Sequence, residues 1–128
     1  MTAGNRVLLI GFDPHAVPEV DAAMAEMVDA AIAIGEQQLR DHGFSTTYCL
    51  VAPDDRAVAT ITRALTSDEF DCVVIGGGIR KPEAYLELFE RVVNLSVVHA
   101  PHAAIAFNRT GADSADAVLR WLPDAAPS

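Results

Sequence analysis

The apolar positions of this chain follow two alternating patterns. Short runs, RVLLIGF (6–12), FSTTYCLVA (44–52), DCVVIG (71–76) and AAIAFN (103–108), each end at Gly, Pro or a polar turn. Runs of this length, rich in β-branched and aromatic residues and lacking strict polar alternation, predict strands buried on both faces of a sheet. Between them the period changes. Over residues 18–41, Val20, Met24, Met27, Ala31 and Ile34 recur at steps of three and four, while Glu19, Glu26, Asp29 and Glu36 fall off that stripe. This predicts a long amphipathic helix, stopped where Gly43 supplies the usual C-terminal glycine. A shorter helix over 56–67 presents Val58, Ile61 and Leu65, and Pro82 suits the first turn of a helix over 82–96 that aligns Tyr85, Leu88, Phe89 and Val92. Asp113 or Ser114 can cap a last helix running through Trp121 and Leu122, with Trp121 as a packing anchor.

Four apolar strands alternating with four helices call for a parallel sheet covered on both faces. Right-handed crossovers make 2-1-3-4 the most economical strand order. No repeat, linker or low-complexity block interrupts the chain, so residues 1–122 are expected to form one α/β domain, followed by a loose tail over 123–128. The organisation resembles the flavodoxin-like and response-regulator-like superfold, which implies a three-layer sandwich. It is also similar to small bacterial α/β proteins with a G-G-G-I-R element after the third strand, a likeness that carries the fold and no activity.

With 128 residues the chain can bury roughly two thirds of its unfolded surface without a metal or disulfide staple. Cys49 and Cys72 are isolated in strand-like stretches and read as core thiols. The N-terminal apolar run is too short for a signal peptide and no stretch is long enough to span a membrane, so a cytoplasmic chain without membrane association is expected. A net charge of −9 opposes binding to nucleic acid. A local cluster of cations can still hold a small anion, because within a Debye length of about 8 Å the nearest charges dominate.

In open parallel sheets, ligands bind beyond the carboxyl ends of the strands, where the crossover direction reverses. For order 2-1-3-4 that point lies between the first and third strands. Asp13 and His15 follow the first strand, Gly76, Gly77, Gly78, Arg80 and Lys81 follow the third, and Asn108 and Arg109 follow the fourth. The glycines permit close backbone approach and the adjacent cations suit a phosphate or carboxylate; the same residues equally describe a turn with solvated charges. Asp13 can orient the His15 imidazole as a general base, or simply start a turn at Asp-Pro. His99 and His102 precede the fourth strand, at the opposite end of the sheet, and lack a third ligand, so no metal site is expected.

Known patterns narrow the choice. A response-regulator receiver places a phosphoacceptor Asp at the end of strand three, where this chain has Ile75-Gly76-Gly77. A flavodoxin carries a Ser/Thr-rich phosphate loop after strand one, where this chain reads GFDPHAVPE. Cobalamin-binding domains carry D-x-H-x-x-G, which Asp13-Pro14-His15 echoes, but Pro18 occupies the glycine position. No cofactor is therefore expected. Three readings stand: a binder of a small anionic metabolite, a cofactor-free enzyme using Asp13 and His15 with the glycine loop as oxyanion site, and a homodimeric module. For the last, Leu86, Val93 and Val97 form a second apolar line on the helix over 82–96.

Overall fold

The computed structural model describes residues 5–126. Strands β1 (Arg6–Phe12), β2 (Ser45–Val51), β3 (Cys72–Ile75) and β4 (Ala104–Phe107) form one parallel sheet in the order β2-β1-β3-β4. The helices are α1 (Ala22–Asp41), α2 (Ala57–Leu65), the single turn α3 (Gly77–Arg80), α4 (Leu86–His99) and α5 (Ser114–Leu119). This is the α/β class and strand order that the sequence pattern predicts.

Side chains of β1 show why the sheet needs two covers. Leu8, Ile10 and Phe12 enter one core with Ile61, Leu65, Ile79 and Val92, contributed by α2, α3 and α4. Val7 and Leu9 enter the other with Leu39 of α1 and Ala115, Ala117 and Val118 of α5. A strand whose successive side chains point to opposite faces must be apolar throughout to serve both. Each fully buried Val, Leu or Ile contributes about 1.5–3 kcal/mol relative to exposure. Both cysteine thiols are buried and unpaired; burial raises both, and Cys72 reaches about 12. No described helix is long and apolar enough to cross a membrane.

Four expectations need correction. First, α1 begins at Ala22 rather than at Pro18, because the Asp21 carboxylate accepts the Met24 N–H and caps the helix there. Second, the chain after β3 does not wait for Pro82. It forms the α3 turn at once, and Pro82 then precedes a short 3-10 turn, Glu83–Tyr85, that leads into α4. Third, α5 ends at Leu119, and Trp121 is 61 % exposed instead of anchoring a core. Finally, the residues assigned to a loose tail are docked as far as Ala126. The Ala125 N–H donates to the His42 carbonyl at 2.9 Å, and the Asp124 carboxylate, held below its usual range by the Ala126 N–H and by His42, receives both bonds. Residues 1–4 and the last two residues of that segment lie outside the described chain.

The α1 stripe brings a fifth difference. Only Ala25, Gly35 and Leu39 of this helix are buried. Met24, Met27 and Ile34 are 50, 72 and 52 % exposed, so the three-and-four periodicity marks a face that leaves the core uncovered.

Candidate functional site

Gly11 and Phe12 close β1, and Gly76 to Gly78 follow β3, so the switch point is bounded by glycine backbone on both sides. The Gly76 N–H donates to the Ile10 carbonyl at 2.8 Å, which extends the β1–β3 pairing into the turn. After β1, Asp13 donates its N–H to the Val51 carbonyl at 2.9 Å and its carboxylate accepts the His15 N–H at 2.9 Å. The short 3-10 turn Pro14–Ala16 is thereby capped from within.

A cleft of about 650 Å³ opens beside this edge. One wall is formed by Met24, Met27, Val28 and Ala31 of α1 together with Val20, which lies just before the helix. Phe12, Pro14, Val17, Pro82 and Tyr85 line it elsewhere, and Asn108 to Gly111 close one end. The Phe12 and Tyr85 rings form an edge-type pair with centroids 4.7 Å apart and planes at 72°, which fixes that wall. Among the described lining residues, Glu19 and Arg109 are the charged ones.

The glycines divide into two kinds. A Cβ on Gly77 would lie 2.8 Å from the Arg109 carbonyl oxygen, so packing requires glycine there. A Cβ on Gly78 would meet nothing nearer than a Phe12 ring carbon at 3.8 Å, and Gly78 lines the cleft. Gly78 therefore keeps volume open without serving the packing of the domain.

The sequence-predicted cations do other work. Arg80 donates through NH2 to the Asn108 carbonyl at 2.9 Å and lies over the Phe107 ring at 5.7 Å. Lys81 donates from Nζ to the Arg109 carbonyl at 2.7 Å. The Gly77 N–H donates to Asn108 Oδ1 at 3.1 Å. Together these bonds brace the ends of β3 and β4, and neither Arg80 nor Lys81 lines the cleft. Arg109 does, with its side chain 84 % exposed and its guanidinium 3.9 Å from Asp113.

Asp13 and His15 are close in sequence without forming an acid–base pair. The His15 ring bonds through Nε2 to Asp29 of α1 at 2.6 Å, and it does not line the cleft. A carboxylate two residues away is drawn to the backbone N–H of the turn, which leaves the ring for the helix opposite. The hydrogen bond that the His15 ring donates to the Asp29 carboxylate raises the His15 pKa, with Coulombic help from Asp29, Asp13 and Glu26 outweighing desolvation. Because the folded value is raised, the link stabilises fully below the unfolded value, near 6.5, and fades as pH rises through the folded value. Asp29→Asn is therefore expected to lower Tm at pH 6 and to change it little at pH 9, measured by thermal melts across that interval. An equal shift at both pH values would show that the imidazolium is not involved.

The methionine wall and Tyr85 were not among the expected site residues. The signal for the methionine wall was present in the spacing of Met24, Met27 and Ala31, which marks a helix face but not what the face meets. No protein-family model, curated protein or solved structure matches the chain. The likeness noted from sequence thus rests on architecture alone.

Proposed function

We propose that this protein binds a small molecule with an apolar body and a single acidic group, seated in the cleft at the β1–β3 switch point. The observation that carries this reading is the cleft's lining: apolar side chains from α1 and the β1 loop, with Arg109 as the cation among the described lining residues. Sites of this kind combine apolar walls with a few polar groups that fix orientation. Arg109 suits a carboxylate, sulfonate or phosphate at one end. The apolar body lies against Met24 and Met27, whose flexible thioether side chains adapt to varied shapes. Gly78 supports the same reading, since its missing side chain keeps the cleft open. Relative to a compact phosphorylated metabolite held by Arg80 and Lys81, this ligand is more apolar and its anion is met by Arg109.

The test uses 1-anilinonaphthalene-8-sulfonate, an aromatic body with one sulfonate, and a thermal-shift panel of aromatic and aliphatic carboxylates. Saturable fluorescence enhancement by the native protein is expected, with Gly78→Val abolishing it and Arg109→Ala weakening it several-fold. A carboxylate present at 100 times its dissociation constant should stabilise the fold by about 2.7 kcal/mol. Enhancement that survives Gly78→Val unchanged would overturn the assignment of the cleft.

A further inference from the structure

Two side chains of opposite charge, Glu19 and Arg109, stand in a cleft whose other described lining residues are uncharged. Arg109 has a carboxylate beside it, Asp113 at 3.9 Å. Glu19 has no such counterpart: among the described residues, no Lys, Arg or His nitrogen lies within 4.0 Å of its carboxylate. Its contact is the Tyr85 hydroxyl, which donates to Oε1 at 3.4 Å and leaves most of the carboxylate's accepting capacity unused. The backbone that carries Glu19 is held on both sides. Before it, the Val20 N–H donates to the Val17 carbonyl at 3.1 Å across a turn in which Pro18 fixes φ, and after it Asp21 caps α1.

From this pair of charges we infer, resting on the ligand reading above, that the ligand is a zwitterion: besides the acidic group met by Arg109, it carries an ammonium group that binds the Glu19 carboxylate beside the Tyr85 ring. A ligand with an acid alone would be attracted by Arg109 and repelled by Glu19 between apolar walls that screen charge poorly. Its body, lying against Tyr85, would also displace water from Glu19 and offer that carboxylate no donor in return. An ammonium group reverses both effects. The aromatic ring adds to them, because a cation within about 6 Å of a ring centroid is drawn to its face. No second cation of the chain balances Glu19 in the cleft, since Arg80 and Lys81 are bonded to the carbonyls of Asn108 and Arg109 and do not line it. The net charge of −9 acts in the same direction, opposing the approach of a bare anion but not of a ligand without net charge.

Displacement of 1-anilinonaphthalene-8-sulfonate from the full chain tests this with ligands that differ only in the ammonium group. Para-aminomethylbenzoate is compared with para-ethylbenzoate, and straight-chain ω-amino carboxylates with fatty acids of the same length. In at least one pair the zwitterion is expected to bind at least about 10-fold tighter. Glu19→Gln keeps an acceptor for Tyr85 and removes the charge, so it should cancel most of that preference, and Glu19→Lys should reverse it. Both variants should still bind the dye, because Glu19 is exposed and its replacement leaves the core intact. Equal binding within every pair, tighter binding of the acids, or a preference that both variants retain would overturn the zwitterion and leave the acid-binding cleft standing. Failure of every acid and zwitterion to displace the dye, or dye enhancement that survives Gly78→Val, would overturn the cleft reading and the zwitterion with it.

Discussion

Replacing Gly35 with alanine is expected to destabilise the protein by at least about 2 kcal/mol, although alanine is the better helix former by about 1 kcal/mol. The reason is the contact between α1 and the turn that precedes α5. A Cβ on Gly35 would stand 1.9 Å from the Gly111 carbonyl oxygen and 3.1 Å from its carbon. The opposing residue is equally constrained, since a Cβ on Gly111 would meet Ile32 N and Cγ1 at 2.9 Å. Both obstacles include backbone, so no side-chain rotation relieves them; helix and turn must separate. That separation also moves the 108–111 segment at the end of the cleft.

Urea unfolding provides the measurement, with Gly78→Ala as the matched control. At Gly78 the added methyl meets only ordinary contact at 3.8 Å, and its φ is not positive. That substitution is expected to leave stability unchanged or to raise it by about 0.4–1 kcal/mol through a less flexible unfolded chain. Two substitutions identical on paper should therefore differ in sign or by more than about 2 kcal/mol. Equal effects at the two positions would remove the close approach of α1 to the turn.

The contrast shows where sequence reading succeeds and stops. Strands β1 and β3 were legible because burial on both faces forces continuous apolar runs. The edge strands β2 and β4 are only partly buried, against the expectation for all four, and were legible from their β-branched, aromatic and apolar content. The switch point followed from the strand order. Gly35 was legible only as an isolated glycine within a helical pattern, which signals some packing reason without naming the partner. The cations were harder still. Composition places Arg80 and Lys81 at the correct edge of the sheet, but a guanidinium or ammonium takes the nearest good acceptors. Here these are the carbonyls of Asn108 and Arg109, which come within reach only because β4 ends beside α3. His15 is a similar case, since its partner Asp29 is fixed by how α1 crosses the β1 loop. The α1 stripe was visible as periodicity, yet the core face of that helix is built from Ala25, Gly35 and Leu39, small or widely spaced residues that a hydrophobic pattern under-weights.

Asn108 carries the other large effect: Asn108→Leu is expected to cost about 2–4 kcal/mol. The residue is 2 % exposed at the end of β4, and its amide joins three elements. Oδ1 accepts the Gly77 N–H at 3.1 Å, and Nδ2 donates to Ser114 Oγ at 3.0 Å. Ser114 in turn donates to the Gly111 carbonyl at 3.0 Å. Leucine has similar volume and supplies neither an acceptor nor a donor, so the buried Gly77 N–H loses its partner and bears the full desolvation penalty. Ser114→Ala alone removes one amide bond and one hydroxyl bond at the start of α5, and should cost about 1 kcal/mol. Because both substitutions delete the same Asn108–Ser114 bond, the double variant is expected to fall short of the sum of the singles, by an interaction energy of at least about 0.5 kcal/mol. Chemical denaturation of the four proteins gives that cycle directly. Strict additivity would mean that Asn108 and Ser114 act independently, and that the turn after β3 and the start of α5 are not held through one polar chain.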